Sequence, residues 1–355
     1  MQNVIAILVS ILLGISGAIV PPRETGDLAA NRTSTGAYFE NENSVWLANV
    51  FDENKLCRYD KDSGELTVVS DELVGVSYIS EYDGDIYFTA LSLKGEKLDE
   101  ADSVYSSGIY HVDASANADD IEPELFIADA SGALFCDGYV YYQDQSDVAP
   151  HAASICRMKL PSGNLPQGIP EKLIDGGKYE LAEFTVAGGV LYAQTPVDIF
   201  TCDLGTFEIK NLTGGRFADD GGINRLQYRD GSLYFYTYGD DASIWRYVLA
   251  TGEYERLLEF NDGDFRYDLM LVDDGRIIFN GRQSSKSVDG ERRIAGMYEF
   301  DLTTGEVTLI TSDVTGPTCY LAGDNIVSVS VGAERSVTVY TETDNGWYGV
   351  TVRND

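Results

Sequence analysis

One tight turn recurs seven times along this chain, each time between an apolar or aromatic stretch and a strand rich in Ile, Leu and Tyr. Five copies keep a glycine: Tyr82-Asp83-Gly84-Asp85-Ile86-Tyr87-Phe88, Cys136-Asp137-Gly138-Tyr139-Val140-Tyr141-Tyr142, Ala187-Gly188-Gly189-Val190-Leu191-Tyr192, Arg229-Asp230-Gly231-Ser232-Leu233-Tyr234-Phe235 and Asp273-Asp274-Gly275-Arg276-Ile277-Ile278-Phe279. Two more, Glu42-Asn43-Ser44-Val45-Trp46-Leu47 and Gly323-Asp324-Asn325-Ile326-Val327, put Asn or Asp at the turn. Those residues tolerate the left-handed backbone that such a turn needs. The turn positions 43, 84, 138, 189, 231, 275 and 324 are spaced by 41, 54, 51, 42, 44 and 49 residues.

A further strand follows each turn, as in Lys55-Leu56-Cys57-Arg58-Tyr59-Asp60, Gly108-Ile109-Tyr110-His111-Val112-Asp113 and Ser243-Ile244-Trp245-Arg246-Tyr247. Several of these lead through a Gly-Glu turn into a last strand, as at Ser63-Gly64-Glu65-Leu66-Thr67-Val68-Val69 and Thr304-Gly305-Glu306-Val307. Four short antiparallel strands every ~45 residues is the period and strand count of a β-propeller blade. The expectation is an all-β propeller of seven blades in one domain, residues 36–355, after a linker at 23–35. The degenerate first and last copies leave six or eight as alternatives. Two stacked β-sandwiches would not need one turn to recur in a single register. Helical periodicity is absent past residue 30.

The chain has 355 residues with 25 Lys+Arg against 58 Asp+Glu, a formal charge of −33. So acidic a surface repels phosphate backbones, which argues against a nucleic-acid partner. A hydrophobic content of 44% argues against intrinsic disorder. Val4 to Val20 is a 17-residue uncharged run followed by Pro21-Pro22. Residues 1–22 therefore read as a signal peptide, with Ser16-Gly17-Ala18 as a cleavage site, or as an uncleaved N-terminal anchor, since Met1-Gln2-Asn3 supplies only the α-amino charge. A chain that starts upstream of Met1 is a third alternative. Each places the bulk of the protein outside the cytoplasmic membrane, secreted or anchored by this segment.

The I-Y-F … I-Y-R-x-D … G-E pattern of these units resembles a family of bacterial extracytoplasmic propellers of unknown function. More distantly it resembles TolB-like propeller repeats, whose strands ending in Leu-Thr find their nearest counterpart at Asn211-Leu212-Thr213-Gly214-Gly215. The resemblance implies a fold and says little about activity. Two departures matter. The S-P-D-G turn of the TolB-like repeats is missing, which weighs against an envelope-transport role. The D-x-x-T-G fragment is similar to that of quinone-cofactor propellers, but the tryptophan ending those repeats is absent after Gly252 and Gly305.

Motifs for chemistry are sparse. There is no sialidase-type S-x-D-x-G-x-x-W turn, no G-x-S-x-G, no Walker loop and no H-E-x-x-H. Of the two histidines, His111 aligns with Arg58, Arg157 and Arg246 on third strands, a blade-surface position. His151 sits on a longer loop and is the better binding candidate. Acid pairs such as Asp219-Asp220 and Asp240-Asp241 could hold structural calcium through oxygen ligands, but 58 acids make chance pairs expected. Asp60-Lys61-Asp62-Ser63-Gly64-Glu65 departs from a calcium loop because its glycine falls one place early. No cofactor is implied. The five cysteines form no C-x-x-C pair and read as small buried hydrophobes. Cys136 and Cys156 share a unit and are the pair to test for a disulfide.

Connections between second and third strands vary most, being long at Ala90 to Ser107 and at Asn280 to Ile294. In a propeller they emerge on one face, together with the loops that join blades, and function sits on such variable faces. The loop 281–293 carries Arg282, Lys286, Arg292 and Arg293 against Asp289 and Glu291. A basic loop on so acidic a protein is a candidate contact for an acidic glycan, a carboxylate or an internal acidic patch. The expected function is non-catalytic recognition of a cell-envelope protein or polysaccharide through the long-loop face. The alternatives are a secreted glycoside hydrolase or lyase with carboxylates at the central channel, and an envelope-assembly partner. A hydrolase would bring three or more acids together at the channel mouth, at least one of them with a strongly raised pKa. A binding propeller would present an aromatic or basic patch on the rim, with no such convergence.

Overall fold

The computed structural model describes residues 36–92, 106–116, 121–146, 153–160, 168–238, 242–259, 270–273, 275–281, 296–312, 318–322, 325–331, 335–343 and 346–353. The N-terminal run Val4 to Val20 lies outside them. Among the described residues no helix is long and apolar enough to cross a membrane.

Seven four-stranded antiparallel sheets follow one another along the chain, each a meander in sequence order. They span 38–68, 73–128, 130–174, 184–211, 223–259, 270–311 and 318–353, and form the seven blades of a β-propeller. The recurrent turn joins the first and second strand of every blade, as its spacing requires. At Asp83-Gly84, Asp137-Gly138, Gly188-Gly189 and Asp230-Gly231 both turn residues have positive φ, 45–90°. This is the hairpin turn whose twist matches that of the flanking strands. The first copy is built differently. Asn43 does not adopt the left-handed conformation, and the Asn41 side-chain oxygen accepts the Asn43 and Ser44 N–H groups at 3.1 and 2.9 Å instead.

Strand alternation decides how blades pack. In blade 3, Leu134, Cys136, Tyr141 and Ile155 face blade 4, while Phe135, Val140, Tyr142 and Cys156 face blade 2. Cys136 and Cys156 therefore lie on opposite faces of one sheet, and all five cysteines are buried thiols outside any disulfide. This parity sets the two thiols against different blades, so the pair to test forms no disulfide and the reading as buried hydrophobes holds. Similar apolar clusters fill the other interfaces, and one of them joins Val327, Val329, Val337 and Val339 of blade 7 to Val45 and Leu47 of blade 1. The ring thus closes through side-chain packing, with no strand exchanged between the terminal blades.

The D-x-x-[ST]-G fragments join third to fourth strands. The Asp60 carboxylate accepts the Ser63 N–H at 2.8 Å, Asp203 that of Thr206 at 2.7 Å and Asp301 that of Thr304 at 2.8 Å. These bonds lower the pKa of all three carboxyls, the backbone N–H being the largest cause in each. The motif is a self-capped turn. Phe207 stands at φ 60° where the related turns use glycine, and its ring lies under the Arg157 guanidinium at 4.8 Å. Arg157 also covers Tyr139 at 4.6 Å and bonds Glu171 at 2.7 Å. His111 has the same setting, stacked on Tyr87 at 5.4 Å with Asp85 at 3.1 Å from Nδ1.

Candidate functional site

First strands of neighbouring blades touch one another and line the central channel. Their starts share a face with the ends of the second strands, where the loops of variable length emerge. The structure brings three blades together at the channel mouth on this face.

Glu183 stands one residue before the first strand of blade 4, Phe184–Ala187. Arg225 lies in the first strand of blade 5, Ile223–Arg229, and its guanidinium reaches the Glu183 carboxylate at 3.4 Å. Tyr78 comes from the first strand of blade 2, Leu73–Tyr82. Its phenol is acted on electrostatically by both Glu183 and Arg225. Tyr236 closes the group from the second strand of blade 5 and donates to the Tyr238 hydroxyl at 3.1 Å. Asn224 donates to the same hydroxyl from its side-chain amide. Tyr236 is buried, whereas Tyr238 is 37% exposed.

Backbone irregularity places these groups. Tyr78 has φ 53° and Arg225 has φ 59°, the left-handed region that bulky residues seldom occupy. Each sits where the pairing with the second strand shifts register, between Ser77 and Ser80 and between Asn224 and Gln227. Such bulges re-aim a side chain and locally break the ladder. Blade 3 has Gly132 at φ 68°, where an added Cβ would lie 3.9 Å from the tip of the Tyr78 ring.

About a third of the Glu183 and Arg225 side chains is accessible, 32% and 31%. Surrounding atoms nevertheless crowd round Glu183. Burial pushes the Glu183 carboxyl above the usual carboxylate range, against the pull of Arg225 and the Leu226 N–H. Burial likewise raises Tyr78 and Tyr236. Among the described residues, Arg225 is the charged group that acts on Glu183 most strongly. No group of three or more His, Cys, Asp or Glu among them could hold a metal ion.

Glutamine side chains tie the mouth together across blades. Gln143 donates to the Ala182 carbonyl at 2.8 Å. Gln194 donates to the Ile223 carbonyl at 3.0 Å and accepts the Leu226 N–H at 3.0 Å. Farther along the first strands, Gln227 accepts the Val272 N–H at 3.0 Å. The turn Thr195–Asp198 joins in, since the Pro196 carbonyl accepts the Ile223 N–H at 2.8 Å.

Of the residues singled out by sequence, Arg282, Lys286, Arg292, Arg293 and His151 lie outside the described residues. The strands flanking the basic loop, Arg276–Gly281 and Gly296–Asp301, are the second and third of blade 6. Sequence reasoning missed Tyr78, Glu183, Arg225 and Tyr238. The available signal was a break in alternation, Val76-Ser77-Tyr78-Ile79 and Ile223-Asn224-Arg225-Leu226, where apolar residues stand three apart instead of two.

No protein-family profile matches the sequence, and no curated protein matches it. Solved structures do. Puromycin hydrolase superposes with TM-score 0.56 at 12% identity over 85% of this chain and 49% of its own. A puromycin-hydrolyzing peptidase from Mycobacterium tuberculosis gives 0.55 at 14% over 85% and 50%. TolB from Acinetobacter baumannii gives 0.45 at 17% over 90% and 78%. The chain spans about half the length of the two hydrolytic proteins. At these identities the likeness is one of fold, and the chain is a seven-bladed β-propeller similar to those structures.

Proposed function

We propose that this chain is an extracytoplasmic, non-catalytic propeller that binds a protein or polysaccharide of the cell envelope through its long-loop face. The observation that carries this reading is the content of the channel mouth, one carboxylate–guanidinium pair among three tyrosines. Two-carboxylate glycoside hydrolysis places a second acid roughly 5–9.5 Å from the first, whereas the groups named as acting on Glu183 are the Arg225 guanidinium and the Leu226 N–H. The uncharged run Val4 to Val20 supports an extracytoplasmic location. The basic residues Arg282, Lys286, Arg292 and Arg293, with His151, belong by position to loops of this face and would add contacts at its rim.

The test presents the purified chain to a glycan array and to purified envelope components, and analyses the recovered sugars by chromatography. Saturable binding with intact sugars is expected. Shortening of a sugar polymer by the chain would overturn the non-catalytic reading.

A further inference from the structure

The mouth has a composition that selects among the ligands a binding propeller could take. Its polar side chains are planar and multidentate. A carboxylate offers two acceptor oxygens, a guanidinium a rigid fork of donors, and an amide one of each. Glu183, Arg225 and Asn224 supply these from blades 4 and 5. Tyr78 and Tyr238 add phenols, which combine an apolar ring face with a polar tip. Gln143, Gln145, Ser131 and Ser107 continue the polar lining along blades 2 and 3, with Ser107 donating to Gln145 at 2.7 Å and Gln145 to Ser131 at 2.9 Å.

Charge narrows the choice. Glu183 and Arg225 neutralise each other, so among the described residues the mouth offers no net ionic attraction, and the chain around it carries −33. An anionic ligand seated between them would meet that field and lose its hydration without a surplus cation at the pair to replace it. Geometry disfavours an extended peptide. Strand addition needs an uninterrupted sheet edge, and the first strands of blades 2 and 5 are bulged at Tyr78 and Arg225, with shifted register on both. A chain of vicinal hydroxyls with apolar ring faces needs no such edge, and it matches paired acceptors and donors beside phenol rings.

We propose that the channel mouth is a binding site for an uncharged oligosaccharide, whose rings lie against Tyr78 and Tyr238 and whose hydroxyls bond to Glu183, Arg225 and Asn224. This rests on the binding reading above and names the ligand class for it. A strained backbone supports the assignment, since two bulky residues are held left-handed at the same place and such strain gathers at ligand sites.

The experiment titrates the full chain by calorimetry with maltohexaose, cellohexaose and chitohexaose, and with hexagalacturonate as the acidic arm. Tyr238→Ala and Glu183→Gln are compared with wild type, with thermal melts run alongside. At least one neutral hexasaccharide should bind, hexagalacturonate should bind at least about tenfold more weakly, and each variant should weaken neutral binding by about tenfold or more while melting cooperatively. Because Tyr238 is exposed, its variant keeps the test valid if Glu183→Gln misfolds. Three results would overturn the assignment: no neutral sugar binding, equal or tighter binding of hexagalacturonate, or neutral binding unchanged in Tyr238→Ala. If no sugar binds while a purified envelope protein is still captured, this inference fails and the binding reading stands. If neither binds, both fail.

Discussion

Arg225 of blade 5 holds the Glu183 carboxylate of blade 4 at 3.4 Å, and it does so from a left-handed backbone at φ 59°. Because the bulge at Arg225 also interrupts strand pairing, the blade loses ladder hydrogen bonds at the position where Arg225 reaches Glu183. The compensation comes from the neighbouring blade, where Gln194 accepts the Leu226 N–H that follows the bulge.

Gln194 is 1% exposed and its amide serves both the Ile223 carbonyl and the Leu226 N–H. Gln194→Leu keeps the volume and removes both bonds. Each buried group left unpaired costs about 1–3 kcal/mol. Urea unfolding should show a loss of that order or larger, with weaker sugar binding as Arg225 loses its support. A change within about 0.5 kcal/mol would contradict this role.

Two glycines make a contrast. Gly222 has φ +105° and an added Cβ would lie 2.4 Å from the Pro196 carbonyl oxygen, which receives the Ile223 N–H. Gly231 has φ +72° with nothing within 4 Å of such a Cβ. Gly231→Ala should cost about 1–2 kcal/mol, the left-handed penalty alone. Gly222→Ala adds a backbone clash and a strained hydrogen bond, and should lower the melting temperature distinctly more. Equal melting temperatures would show that the Pro196 contact contributes nothing.

Stability should peak at mildly acidic pH. Hydrogen bonds lower the pKa of Asp60, Asp203 and Asp301. Their contribution is present above the ordinary aspartate value of about 3.9 and is lost as pH falls through the lowered values. Burial raises Glu183, and burial raises Glu299 against the pull of Arg276. Their contribution is full below about 4.3 and is lost as pH rises through the raised values. Lowering pH from 7 also reduces the self-repulsion of a chain at −33. Scanning calorimetry from pH 8 to 3 should find a rise and then a fall. A steady decline over that whole range would contradict the balance.

All five thiols are buried and outside any disulfide. Burial pushes Cys57, Cys136 and Cys156 up to about 12 and Cys319 to about 11. The thiolate is the reactive form, so the native chain at pH 8 should ignore a disulfide reagent that modifies it fully in urea. Rapid modification of any cysteine in the folded protein would mean that its blade interface is open.

The architecture was legible because a propeller repeats one local decision. Asp-Gly or Gly-Gly turns with left-handed backbones mark the first hairpin of four blades, and the spacing of the seven turn positions counts the blades. Parity also separates Cys136 from Cys156, since the first lies two residues before Gly138 and the second pairs with Tyr142 across the next strand. The site was far less legible. Tyr78 and Arg225 come from first strands and Glu183 from the residue before one, far apart in sequence, and they meet only because blades close into a ring. Bulges aim them, and a bulge leaves just a one-residue break in alternation at Val76–Ile79 and Ile223–Leu226.

The central claim is that the Glu183–Arg225 mouth binds an uncharged sugar chain without cleaving it. Its most direct test is a calorimetric titration with the tightest neutral hexasaccharide, followed by chromatography of the recovered sugar, on wild type and Tyr238→Ala. Saturable binding by wild type, binding weakened about tenfold or more in the variant, and sugar recovered intact from both are expected. Shortened sugar from the wild type, or binding that ignores Tyr238→Ala, would contradict it.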